Sequence, residues 1–154
     1  MRLIVKSGGP KAHAEWRELF ARIAPEIEVV DWYSPPADLR GIEYAMVWEP
    51  DAGRLAALPD LKLVISSGAG IDHILADPLL PPQVPIVRMV LDVTAIEMSE
   101  FVLMSALMLV RNMKRAMDNQ ALGKWKTFDA PRRSTTTRVG IMGLGSLGSH
   151  AADM

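Results

Sequence analysis

The chain has 154 residues, a formal net charge of −1 and no cysteine. Near-neutrality gives no electrostatic reason to expect a nucleic-acid partner, and the lack of cysteine excludes disulfides, thiolate metal centres and thiol catalysis. Hydrophobic residues make up 49% of the chain, a share that belongs to a globular protein, and the length suits one domain or a small domain plus part of another. The longest apolar run, 101–110, is broken only by Ser105 and falls well short of the roughly 20 residues of a membrane span. Leu3, Ile4 and Val5 are too few for a signal peptide. A cytoplasmic protein without a membrane partner or a metal site is expected.

The first ninety residues alternate strand and helix. Residues 3–6 form an apolar strand closed by Ser7-Gly8-Gly9-Pro10. Residues 11–24 follow as a helix with Trp16, Leu19, Phe20 and Ile23 on one face, stopped by Pro25. Strands are expected at 28–33 and 44–48, then a short helix after Glu49-Pro50-Asp51 that carries Leu55 and Leu58. A fourth strand at 61–66 runs into Ser67-Gly68-Ala69-Gly70; 71–75 makes one or two helical turns, and 84–90 is a fifth strand. Strands apolar on both faces that alternate with helices imply a parallel sheet covered on both sides. The expected fold class is α/β with a flavodoxin-like sheet.

A long helix is expected over 94–117. Thr94 and Glu97 fit a capping box, and Arg111, Lys114 and Arg115 suit the C-terminal dipole. Its middle is apolar all round and must be buried on nearly every face, against another subunit if this chain lacks the elements to cover it. Residues 118–137 are polar and read as a solvated loop. Residues 139–142 read as a strand.

Gly143, Gly145 and Gly148 then make G-x-G-x-x-G between that strand and a helix start, the form of a dinucleotide-binding turn. The first glycine permits the tight turn, the second lets backbone approach a pyrophosphate, and the third lets helix pack on strand. A plain turn without a ligand is the alternative. The acidic ribose partner belongs roughly 20 residues further on, so NAD and NADP cannot be told apart. Ser67-Gly68-Ala69-Gly70 could turn successive N–H groups toward one anion, or could simply connect strand to helix. Trp48 lies at the carboxyl end of the third strand, where open α/β sheets place ligands, although a lone tryptophan is more often packing. His13, His73 and His150 show no dyad spacing and read as structural or solvent-exposed.

Together these segments resemble the D-isomer-specific 2-hydroxyacid dehydrogenases, in particular the glyoxylate/hydroxypyruvate reductase A branch. The matching stretches are Ala45-Met46-Val47-Trp48-Glu49-Pro50, Leu61-Lys62 through Gly68-Ala69-Gly70-Ile71-Asp72, Val84-Pro85-Ile86-Val87-Arg88, Met98-Ser99-Glu100-Phe101-Val102, Trp125, and the run from Arg138 to Gly148, in the family's order. The resemblance implies a substrate-binding flavodoxin-like domain over 1–93. It implies the start of a Rossmann domain over 94–154, comprising the helix 94–117, the loop 118–137, and the first strand and glycine turn at 138–154. It implies reduction of a small 2-oxo acid to the 2-hydroxy acid with NAD or NADP as cofactor, the nucleotide lying in the cleft between domains. Ala69 and Gly70 would hold the substrate carboxylate and Trp48 would line the pocket. Gly143, Leu144, Gly145, Ser146, Leu147 and Gly148 would surround the pyrophosphate, with Met98 near the nicotinamide, and the helix 94–117 would form a homodimer.

The family's catalytic Arg, acidic residue and His lie beyond the glycine turn. No catalytic residue is therefore carried over, and Arg88, Arg111 and His73 do not take their place. These 154 residues are expected to be inactive by themselves. The alternatives are a non-catalytic, dimerising carboxylate-binding module or a fragment without its own function. In a Rossmann sheet the first strand sits between strands 2 and 4, so residues 139–142 are expected to pair with another chain, repack or be disordered.

Overall fold

The computed structural model describes residues 1–130 and 132–154 and divides into two compact units, Met1–Met89 and Val90–Met154. In the first, strands β1 (Arg2–Lys6), β2 (Glu28–Asp31), β3 (Ile42–Val47), β4 (Leu63–Ser66) and β5 (Ile86–Arg88) form one parallel sheet in the order β2-β1-β3-β4-β5. This is the flavodoxin-like order, and the α/β class expected from the alternating pattern is observed. β1 is an interior strand: Ile4 pairs with Val30 on one side and Ala45 on the other.

An interior parallel strand has no solvent face, which is why β1 must be apolar at consecutive positions. Ile4 joins Val30, Trp32, Val47, Leu55, Val64 and Ile74 in the core of one face. Leu3 and Val5 point to the other face, where Met46 and helix α1 (His13–Ile23) meet them through Trp16 and Phe20. The helix starts after a short 3-10 turn at Pro10–Ala12, and Ile23, expected on its buried stripe, is exposed. Leu55 and Leu58 are buried as core residues but not on a helix: the segment after Pro50 is a series of turns, with Arg54 N–H donating to Asp51 O at 3.1 Å and Leu58 N–H to Leu55 O at 3.2 Å. Gly53, at φ +73°, breaks any right-handed helix there.

The second unit holds α3 (Asp92–Val110), α4 (Met113–Ala121) and α5 (Ser146–Asp153), with helix α2 (Asp72–Leu75) belonging to the first unit. The single helix expected over 94–117 is two helices. The chain breaks at Asn112, whose φ of +54° is left-handed, a conformation that asparagine tolerates better than most residues. α3 also begins earlier than the Thr94–Glu97 pattern suggests. Leu91 is its extended N-cap residue, no side chain caps it, and Asp92 supplies the acidic charge of the first turn; the capping box does not form because Thr94 is already inside the helix. Residues 118–121 complete α4 rather than opening a loop, aided by the Lys114–Asp118 pair one turn apart.

Residues 139–142 are not a strand. A strand exists through its ladder, and the described residues of this unit contain no strand to supply one; Val139 and Met142 face solvent. Nor is α3 buried all round. Only Ala95, Ser99 and Val110 are buried, while Phe101 is 58% and Leu109 82% exposed. With 19 residues and a mean hydropathy of 1.7 it is long and apolar enough to cross a bilayer, although Glu97 and Glu100 interrupt it. A bare apolar face of this kind is also the mark of a protein interface.

Candidate functional site

The first candidate site stands at the carboxyl edge of the parallel sheet. β4 ends on Ser66, and the chain turns through Ser67, Gly68, Ala69 and Gly70 into α2. Ser66 is fully buried. Its hydroxyl donates to Gly70 O at 2.8 Å and accepts from Gly68 N–H at 3.3 Å, so one side chain braces both ends of the loop. From outside, Met89 N–H is shared between Ser66 O and Gly68 O, at 3.2 and 3.1 Å. The loop curl is thus held by hydrogen bonds within its own unit. It presents Ala69 half-buried and Gly70 exposed.

Trp48 follows β3, and its N–H donates to Lys6 O at 2.7 Å. Its ring lies over Gly68: a Cβ there would meet Trp48 Cζ3 at 2.5 Å, so the glycine is required by close approach. The ring also meets the His73 imidazole, centroids 4.3 Å apart and planes inclined by 44°. Trp48 keeps 45% of its surface exposed, a half-covered wall beside the loop. His73, expected to be structural or exposed, is half-buried with its Nε2 enclosed and without a partner. The structure therefore brings Trp48 onto the loop of Gly68, Ala69 and Gly70, two candidates that the sequence offered apart, and adds His73 to them.

Residues not singled out from sequence hold that wall. Glu49, next to Trp48, has φ +49°, a left-handed conformation costing about 1–2 kcal/mol for a residue with a side chain. Lys6 Nζ donates to Glu49 O and lies 3.4 Å from Asp51 Oδ2. Asp51 Oδ2 in turn accepts from Trp32 Nε1 at 2.8 Å. The Trp32 indole N–H and then the Lys6 charge hold the Asp51 carboxyl below its ordinary range. The only local hint of Ser66 in the sequence is a serine closing an apolar strand before a glycine loop. Nothing in the sequence pairs Lys6 with residues 49–51, since the contact spans more than forty positions.

The second candidate site lies in the other unit. Gly143 has φ +92°, which only a glycine adopts without strain. A Cβ on Gly145 would meet nothing within 4 Å, whereas one on Gly148 would lie 1.9 Å from Gly143 O. The three glycines thus do three different jobs: turn, open approach and tight packing. Gly145 is the N-cap residue of α5, and the first intrahelical bond runs from Ser149 N–H to Gly145 O at 2.9 Å. The N–H groups of Ser146, Leu147 and Gly148 precede it and point out of the helix start, as orphan donors do. Leu144 is exposed, as is Met98 on α3. Ser99, fully buried beside Met98, donates to Ala95 O at 2.7 Å and lies 3.0 Å from His150 Nδ1. One hydroxyl proton cannot serve both neighbours, so with it on Ala95 O the His150 Nδ1–H donates to Ser99. His150 thereby ties α5 to α3.

No family model matches the chain. It is 32% identical over 143 residues to the glyoxylate/hydroxypyruvate reductase A of Serratia proteamaculans, a match covering 90% of this chain and 45% of that protein. The NADPH-dependent glyoxylate/hydroxypyruvate reductase of Sinorhizobium meliloti, solved with NADP and sulfate, is 36% identical with a TM-score of 0.83, over 99% of this chain and 48% of that one. A D-isomer-specific 2-hydroxyacid dehydrogenase of Xanthobacter autotrophicus, solved with NADPH and a buffer molecule, is 32% identical with a TM-score of 0.82, over 98% and 48%. Over these residues the chain is similar to D-isomer-specific 2-hydroxyacid dehydrogenases and, among them, to the glyoxylate/hydroxypyruvate reductase A type. It spans about half the length of the curated relatives it matches.

Proposed function

We propose that these residues bind a small 2-oxo acid and begin the binding site of a nicotinamide dinucleotide, in a cytoplasmic reductase of glyoxylate or hydroxypyruvate. The observation that carries this reading is the division of labour among Gly143, Gly145 and Gly148, which a connecting turn would not need. In this reading the backbone of Gly143, Leu144, Gly145, Ser146, Leu147 and Gly148 surrounds the pyrophosphate of NAD or NADP, and Met98 faces the nicotinamide. The cofactor supplies the hydride. Ala69 and Gly70 N–H groups take the substrate carboxylate, needing no side-chain cation, and Trp48 walls the pocket. Residues 1–93 then serve as the substrate domain, and 94–154 open the nucleotide domain.

A second copy of the chain is the partner proposed for α3, through the exposed run that includes Phe101, Met104 and Leu107. Methionine adapts to an imperfect partner surface. We expect the 154 residues alone to bind without turning over, because no residue among them matches the family's catalytic Arg or His.

Amide-resolved titration of the 154-residue protein tests the reading. Glyoxylate is expected to shift the Ala69 and Gly70 amides, and NADPH those of Ser146, Leu147 and Gly148. NADPH oxidation in the presence of glyoxylate by mass-verified protein would refute the expected inactivity. Glyoxylate binding with no response to NADPH would leave only a carboxylate-binding module.

A further inference from the structure

We propose that Lys6 is a positioning residue for the Trp48 wall, and that it acts through the left-handed backbone of Glu49. The proposal rests on the reading of Trp48, Ala69 and Gly70 as the substrate site. Its geometry stands on other observations. Lys6 grips the segment after β3 at three points: its carbonyl accepts Trp48 N–H at 2.7 Å, its ammonium donates to Glu49 O, and the same ammonium lies 3.4 Å from Asp51 Oδ2. Between the first two points the chain takes φ +49° at Glu49. That conformation persists in a residue with a side chain only when its surroundings impose it.

The consequence reaches the ring. With Glu49 left-handed, Trp48 lies over Gly68 so closely that no Cβ fits between them. A return of Glu49 to negative φ would redirect the chain at the residue next to the one that carries the ring. The Lys6 ammonium is well placed to prevent this, since its side chain is only 16% exposed and is carried on an interior strand of the sheet. Asp51 is the counter-charge that keeps the ammonium in place, and Trp32 orients Asp51 through the 2.8 Å indole bond. The chain of cause runs from Trp32 through Asp51 and Lys6 to the Glu49 backbone, and from there to the Trp48 wall.

The test needs a signal from the ring and one from the ligand. In the wild-type protein the Gly68 protons should show the ring-current shift of an indole packed on them. Lys6→Met removes the ammonium and keeps an apolar stem; it is expected to abolish that shift and to weaken glyoxylate binding about tenfold, roughly the cost of one left-handed residue. Glycine adopts φ near +50° freely, so adding Glu49→Gly to Lys6→Met is expected to restore both signals. A β-branched residue resists positive φ, so Glu49→Val, with Lys6 intact, should lose the shift by itself; this variant keeps the proposal testable if Lys6→Met does not fold. Retention of the shift in Lys6→Met or in Glu49→Val overturns the proposal. So does a loss that Glu49→Gly fails to repair, because Lys6 would then act only through Asp51 and Trp32. If the shifts behave as expected but glyoxylate leaves the Ala69 and Gly70 amides of the wild type unmoved, the substrate-site reading falls and the positioning of Trp48 by Lys6 stands.

Discussion

The sheet of residues 1–89 and the helix α3 are about equally apolar in sequence, yet they end in opposite environments. Leu3, Ile4 and Val5 are buried on both sides of β1, because neighbouring strands and helices come from the same ninety residues. Phe101, Met104 and Leu109 are exposed, because among the described residues of their unit the helices that could cover them are the short α4 and α5. Hydrophobicity reports a demand for burial; only the presence of complementary elements meets it. The two glycine loops differ in the same way. Ser67-Gly68-Ala69-Gly70 is braced by Ser66 and Met89 from inside its unit, whereas the Gly143 turn keeps its helix contact but not the strand that the motif expects before it.

This contrast can be broken by mutation. The largest effect is expected for Ile4→Ala, which empties a fully buried position on an interior strand of the sheet; a loss of about 2–5 kcal/mol is expected in chemical denaturation of the first unit. Next comes Gly148→Ala, whose methyl would collide with Gly143 O. It should cost about 1–3 kcal/mol and remove the NADPH response of the Ser146 and Leu147 amides, while the glyoxylate response of Gly70 stays unchanged. Leu109→Asp sharpens the comparison from the other side. At this exposed position the fold should change by no more than about 0.5 kcal/mol, but sedimentation should show loss of the proposed dimer. An unchanged dimer would remove α3 from the interface.

The smallest effect concerns pH. The Asp51 carboxyl is lowered in the folded state by the Trp32 N–H and Lys6. Its contribution is therefore present above the unfolded carboxylate value of about 3.9, and is lost as pH falls through the lower folded value. Asp51→Asn should lose that small contribution throughout the neutral range and, having no carboxyl to protonate, flatten the acid limb of the stability profile below about pH 4. A wild-type limb in that variant would mean that Asp51 is not coupled to folding.

Strand positions, the parallel class and the glycine spacing were legible because they follow from local chemistry. Alternating β-branched runs and turn residues carry their own periodicity. Helix ends were less legible. Asn112 halts α3 as a left-handed residue, a stop signal that the basic and apolar residues continuing beyond it mask, and Gly53 turns a periodic pair of leucines into a chain of turns. The stretch 139–142 has a strand's composition and no ladder, since composition does not supply the neighbour that makes a strand. The site shows the same split. Trp48, Ala69 and Gly70 could be named from sequence, each with a plain structural alternative beside it. Their meeting, the ring on Gly68 and the hold of Lys6 on Glu49 could not.

What the sequence determined by itself was thus the set of elements, the family resemblance and the glycines at which backbone must turn or come close, all of them properties of short runs and their spacing. Tertiary structure decided which apolar runs were covered, that one expected helix became two, and that a lysine on β1 grips the backbone beside Trp48. These depend on which surfaces meet across dozens of residues, where burial and hydrogen bonding outweigh local preference.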